Sequence, residues 1–147
     1  VKLTEFLNEE LILIDLAAES KEEVVRQMID RMSRMDIVED SEAFFLEVMD
    51  REALGSTAVP GGVAFPHARS SKCRRLAVAF ARLKKGVSFG GSDGKNTQLV
   101  FLISCPLHEA THHVQLLGLL ARTLTQKETR EALLEARNPE TVMQVLS

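Results

Sequence analysis

The chain has 147 residues, 45% of them apolar and 27% charged, the composition of an ordinary globular protein at the length of about one domain of ~100–200 residues, which excludes disorder and collagen-like repetition. With 18 basic against 21 acidic residues and a net charge of −3, it offers no broad positive field to a nucleic-acid backbone, and no apolar run approaches the ~18–20 residues needed to span a bilayer. Two cysteines, Cys73 and Cys105, are too few for the disulfide framework of a small secreted domain, and nothing at the N-terminus reads as a cleavable signal, so the expected compartment is the cytoplasm.

The first clear element is a helix from about Lys21 to Met35. Ser20-Lys-Glu-Glu23 has capping-box spacing, and Val24, Val25, Met28, Ile29 and Met32 recur with helical period behind it. A second helix is expected after Asp40 or Ser41, with Phe44, Phe45, Val48 and Met49 on its buried side, Arg51 in its last turns and Gly55 as a left-handed cap. Gly55 to Gly62 holds three of the eight glycines plus Pro60 and reads as a tight loop.

Val63 to Phe65, Leu76 to Arg82 and Gln98 to Ser104 read as strands, with a turn region at Gly90 to Gly94. The unbroken apolar run Leu99 to Ile103 predicts a buried central strand. Leu116, Leu117, Leu120 and Leu124 are again helically spaced from about His113. Thr125-Gln-Lys-Glu128 has a second capping-box spacing, and Asn138-Pro139 marks the start of a final helix. Interleaved helices and strands predict an α/β fold: residues 1–147 form one domain, a mixed β-sheet flanked by helices in a three-layer sandwich.

The unusual segment is Gly61-Gly-Val-Ala-Phe-Pro-His67-Ala-Arg, a glycine loop feeding a short apolar strand that stops at Pro66 and presents a histidine. Pro66 fixes its own φ and holds Phe65 extended, so the backbone under His67 is stiff. Imidazole keeps a nitrogen lone pair near neutral pH and is a competent nucleophile. By itself, a lone histidine reads first as a hydrogen-bonded loop residue, and it is the neighbouring residues that favour a site. Arg51, Ser56 and Thr57 lie upstream and offer a guanidinium, two hydroxyls and backbone N–H groups of the kind that hold phosphate oxygens; alternatively they are a solvated helix-end charge and ordinary turn residues.

These residues resemble the type 2 EIIA domains of the bacterial phosphoenolpyruvate-dependent sugar phosphotransferase system, in its fructose/mannitol and nitrogen-regulatory branch. The likeness runs nearly end to end: Leu11 to Leu16 before the Lys21 helix, Arg51-Glu-Ala-Leu-Gly-Ser-Thr57, Gly62-Val-Ala-Phe-Pro-His67, the Val87 to Gly94 turn region, and His113 ahead of the leucine-rich helix. Pro60 and Phe65 depart from the family pattern of a small and an aliphatic residue, and both spare Pro66-His67.

The resemblance implies a phosphotransferase component with a phosphohistidine intermediate at His67. It would accept the group from the phosphocarrier protein HPr or its paralogue and pass it to an EIIB domain, with Arg51 and His113 lining the site, Ser56 and Thr57 binding phosphate, and no metal or organic cofactor. The nitrogen-regulatory relatives imply a different use, a binding module whose phosphorylation state sets its affinity for a regulatory target.

A rival reading is zinc hydrolysis, since His108-Glu-Ala-Thr-His112 matches H-E-x-x-H, with Glu109 as base. Pro106 lies just upstream, where helical spacing is not assured, and no third ligand follows. Gly90 to Lys95 lacks the remaining residues of a Walker loop. Adjacent residues of a helix point ~100° apart, so only one of His112 and His113 belongs to a site, and the leucine register favours His113. Arg69, Lys72, Arg74 and Arg75 form a basic run, either a solvated loop or a docking surface.

Overall fold

The computed structural model describes residues 1–147. Strands β1 (Ile12–Leu16), β2 (Ala58–Val59), β3 (Val63–Ala64), β4 (His67–Arg69), β5 (Ala77–Val87) and β6 (Thr97–Cys105) form one mixed sheet, and five helices accompany it: α1 (Lys21–Arg34), α2 (Ser41–Ala53), α3 (Ala110–Leu124), α4 (Lys127–Glu135) and α5 (Pro139–Leu146). The strand order is β1-β5-β6-β3-β2, with β4 also paired to β6. Ala77 to Leu83 and Leu99 to Cys105 are buried without a break. A strand can bury every residue only when both faces of its sheet are covered. Helices α1 and α2 pack on each other and on β4 to β6, while α3, α4 and α5 form a second group against β1 and β6, which gives the expected layered α/β architecture. No helix is long and apolar enough to cross a membrane.

Three of the expected helix starts hold in detail. Ser20 Oγ accepts from Glu23 N, Asp40 Oδ1 from Ala43 N, and Asn138 Oδ1 from Thr141 N. Glu23 reaches back to the N–H of Glu19, one residue beyond the cap that the capping box would serve. The apolar stripe of α1, Val24, Val25, Met28, Ile29 and Met32, is wholly buried.

Three expectations need correction. Thr125 does not cap α4: it ends α3, its hydroxyl donates to the carbonyl of Arg122, and α4 starts at Lys127 with Gln126 as an N-cap that makes no side-chain bond. Only Thr125 and Gln126 separate the two helices, so the hydroxyl is taken by an α3 carbonyl. Gly55 sits at φ +157°, closer to extended than to the left-handed helical region, while Leu54 ends α2 in right-handed geometry. Strand β5 runs five residues past Arg82, because exposed Lys84 and Lys85 and the half-buried Gly86 masked its pattern.

The extension leaves Arg82 inside β5, nearly buried, with its guanidinium donating to the carbonyls of Leu133 (3.0 Å), Leu134 (3.2 Å) and Ala136 at the end of α4 and to Asp15 Oδ1 (3.3 Å). A cation there satisfies terminal carbonyls and meets the negative end of the helix dipole. Asp15 adopts φ +56° where the β1–β5 register shifts, which an Asp tolerates better than most residues. Arg82→Met is expected to lower unfolding free energy by about 2–4 kcal/mol, since it leaves buried carbonyls without donors; urea denaturation with an unchanged m-value checks it.

Candidate functional site

Helix α2, strand β4 and helix α3 meet at a cleft of about 530 Å³. From α2 come Glu47, Asp50 and Arg51, and from its C-cap Leu54, whose spacing of three, four and seven residues from Glu47 puts them on one helical face. Strand β4 contributes His67, Ala68 and Arg69, and α3 contributes His113 from its first turn.

The expected strand ending at Pro66 in fact resumes beyond it. Val63 stands opposite Leu99 and Ala64 opposite Val100; then His67 stands opposite Ile103 and Arg69 opposite Cys105, in the same offset. Pro66 lacks an N–H but its carbonyl still accepts from Ile103 N at 3.0 Å. Proline therefore interrupts the ladder without shifting its register, and His67 is held on a parallel strand, not in a free loop.

His67 is half-buried, and its Nδ1 lies 2.9 Å from the carbonyl oxygen of Phe65. A carbonyl only accepts, so Nδ1 carries the proton and Nε2 keeps the lone pair. The Phe65 ring is anchored in the core, its centroid 5.9 Å from that of Phe101. The residue that departs from the aliphatic pattern thus also holds the histidine's tautomer.

His113 stands edge-on to His67, with ring centroids 5.1 Å apart and planes at 69°. It is only 6% exposed, and its Nε2 is a buried polar atom with no hydrogen-bond partner. Burial above all, then the nearby His67 and Arg69, push its pKa down to about 4. It is therefore neutral at neutral pH. An orphaned buried nitrogen costs about 1–3 kcal/mol unless a ligand supplies its partner.

Arg51 is half-buried and donates through Nη1 to the carbonyl of Gly55 at 2.9 Å, which leaves most of its five N–H donors free. His67, Arg51 and His113 are thus brought together as expected. Ser56 and Thr57 are not. Ser56 Oγ donates to the carbonyl of Phe89 at 2.5 Å and accepts from Ala58 N, while Thr57 Oγ1 donates to Glu52 Oε2 at 2.5 Å. Neither lines the cleft; both brace the loop that carries Gly55.

The brace centres on Glu52, which sequence reading passed over. Its side chain is 1% exposed, pairs with Lys21 Nζ at 2.8 Å and accepts from Thr57 N at 3.3 Å. Its position, four residues after Val48 and seven after Phe45, is within the buried stripe of α2 and was the available signal. Glu47, Asp50 and Leu54 were likewise readable from their helical spacing to Arg51, and Arg69 from its two-residue step from His67 along a strand.

The zinc arrangement does not form. His108 lies in a short 3-10 turn (Leu107–Glu109) before α3, so it and His112 do not share helical i, i+4 geometry. Glu109 lies between them, 3.7 Å from His108 and 2.7 Å from His112, both largely exposed. No group of three or more His, Cys, Asp or Glu side chains is placed to share a metal ion.

The family described as "Phosphoenolpyruvate-dependent sugar phosphotransferase system, EIIA 2" matches residues 5–147. The chain is 33% identical over 138 residues to the fructose-specific EIIA component of Haloferax volcanii, covering 94% of this chain and 90% of that protein. It is 29% identical to the fructose-specific EIIABC component of Bacillus subtilis, where it spans only 23% of the longer protein. Among solved structures, the nitrogen regulatory protein IIA-Ntr of Neisseria meningitidis superposes with a TM-score of 0.91 at 30% identity over 97% of each chain. The mannitol IIA domain of Escherichia coli, solved in complex with phosphorylated enzyme IIB, shares the fold with a TM-score of 0.82 at 24% identity, covering 95% of this chain and 96% of that one.

The depressed pKa of His113 makes a pH prediction. Between the ordinary histidine value of 6.5 and about 4, the unfolded chain binds a proton at this residue and the folded chain does not. Its contribution is complete above the upper value and is lost as pH falls through that window. His113→Gln should flatten the fall in stability between neutral pH and pH ~4 by on the order of 3 kcal/mol, as read from denaturation curves of both proteins at the two pH values.

Proposed function

The chain belongs to the EIIA 2 family of the phosphoenolpyruvate-dependent sugar phosphotransferase system, and from that premise we propose that His67 carries the phosphoryl group, accepting it from an HPr-like phosphocarrier protein and yielding it to an EIIB domain. The observation that carries this reading is the hydrogen bond from Nδ1–H to the Phe65 carbonyl, which leaves Nε2 as the nucleophile beside the cleft. In the step itself the Nε2 lone pair attacks phosphorus. The N–P bond forms as the donor's bond to phosphorus breaks, and that bonding pair returns to the donor atom. The Nδ1 proton stays on the ring, so the product is an N-phosphorylated imidazolium, a good leaving group for onward transfer.

Phosphoryl transfer depends on positioning and charge stabilisation more than on covalent assistance. Arg51 supplies guanidinium N–H groups to the transferring oxygens, a charge-assisted contact of about 1.5–3 kcal/mol. His113, neutral and short of a partner at Nε2, gives that nitrogen's N–H to another oxygen, so the orphan is satisfied when the group arrives. Ser56 and Thr57 serve the site at one remove, by bracing the loop whose Gly55 carbonyl orients Arg51. The reading puts the chain in the cytoplasm, where the donor proteins act.

A second reading is favoured by the likeness to IIA-Ntr. In it the same phosphohistidine governs affinity for a regulatory partner, and the phosphoryl group need not move on to sugar uptake. The chemistry at His67 is identical in both. Transfer from the labelled domain to an EIIB domain supports the carrier role; a partner that binds only one phosphorylation state supports the regulatory one.

Incubation with phosphoenolpyruvate, Enzyme I and HPr is expected to give an acid-labile, base-stable phosphate on the wild-type chain and none on His67→Ala. An unlabelled wild type overturns the proposal. Arg51→Ala should remain folded and label about 10–100-fold more slowly, as the loss of one charge-assisted contact requires.

A further inference from the structure

We propose that Arg69 is a second catalytic cation of this cleft, contacting the phosphoryl oxygens together with Arg51; this rests on the reading of His67 as the phosphoryl acceptor. Side chains of a strand alternate, so His67 and Arg69 leave β4 on the same side, with the small Ala68 between them also in the cleft wall. Both line the cleft, and the parallel register against Ile103 and Cys105 fixes their separation. Arg69 is placed by the same ladder that holds the nucleophile.

The two arginines differ in their commitments. Arg51 already gives one N–H to Gly55. Arg69 is exposed and has no hydrogen bond or ion pair from its guanidinium. Elsewhere in the basic run, Arg74 pairs with Asp36 and Glu39, and neither Lys72 nor Arg75 lines the cleft. Glu47 shares the cleft wall but takes the hydroxyl of Ser70 at 2.7 Å and lies outside ion-pair distance of Arg69. The charge of Arg69 is nevertheless felt inside, being one of the causes that keep His113 neutral.

Charge counting supports the assignment. A phosphoryl group on nitrogen is a dianion near neutral pH, and His113 contributes only a dipole. Glu47 and Asp50 also stand in the cleft wall, so the single positive charge of Arg51 leaves a dianion there uncompensated and a second cation is favoured. A guanidinium presents a planar fork matched to two phosphoryl oxygens, which an ammonium does not.

The test uses the whole chain with phosphoramidate as donor, so that docking of a protein partner plays no part. Its P–N bond breaks as the His67 N–P bond forms, and ammonia leaves with the bonding pair. Arg69→Gln is expected to label about tenfold more slowly than wild type, with Arg69→Lys between them and Arg75→Gln unchanged. On chains phosphorylated by either donor, a phosphorus NMR titration should show the phosphoryl group of Arg69→Gln gaining its proton at higher pH than that of wild type, since a cation in contact favours the dianion. An unshifted phosphoryl titration overturns the proposal, even if labelling by HPr slows, because Arg69 would then serve docking alone. If wild type carries no phosphate on His67 from any donor, the carrier reading fails and takes this inference with it.

Discussion

The pairing of residues 63–69 with β6 is the constraint on which the site depends. Strand β6 is buried along its length between β5 and the β3–β4 segment, so its register is set by core packing and resists slippage. Pro66 falls in the middle of the partner segment, and a proline there removes one ladder donor. Its carbonyl keeps the contact with Ile103, and the register continues unbroken. The result is a stiff bend at which a core-anchored phenylalanine offers its carbonyl to the histidine two residues on.

Around His67, the proposed nucleophile, the hydrogen-bond donors of the cleft divide into two kinds of group. Arg51 and Arg69 bring permanent charge, since a guanidinium keeps its proton under all ordinary conditions. His113 brings a donor without charge, because burial penalises its imidazolium form. On the proposed reading a dianion meets the two arginines and the unpaired histidine nitrogen in a cleft whose wall also carries Glu47 and Asp50. The unpaired buried Nε2 of His113 is a destabilisation of the resting protein that a hydrogen-bonding ligand would relieve.

Buried charge also does structural work away from the cleft. Glu52, joined to Lys21 and to both donors of Thr57, ties the start of α1 to the loop after α2. Breaking such a pair leaves one charge buried without compensation, which costs far more than the intact pair contributes. Arg82 plays the corresponding part on the other side of the sheet, joining β5 to the end of α4 and to the bulged edge strand. Both residues are charged positions inside apolar stretches, and both join elements distant in sequence.

Local chemistry was enough to write most of the element list: the α1 stripe, the Asp40 and Asn138 caps, the central β6 run and the stiff Phe65-Pro66-His67 step were all legible, because caps, periodicity and proline act within a few residues. His67, Arg51 and His113 were readable through their family likeness, and the register of the leucine helix separated His113 from His112. What stayed hidden were the partners chosen across the fold. Ser56 and Thr57 have hydroxyls suited to phosphate, yet Phe89 and Glu52 claim them; Glu109 lies between the two histidines that mimic a zinc motif; Thr125 serves the helix before it instead of the one after. A side chain's chemistry is written in its identity, but a hydrogen bond has one donor and a nearest acceptor, and which acceptor is nearest is decided only when strands and helices far apart in the chain have packed.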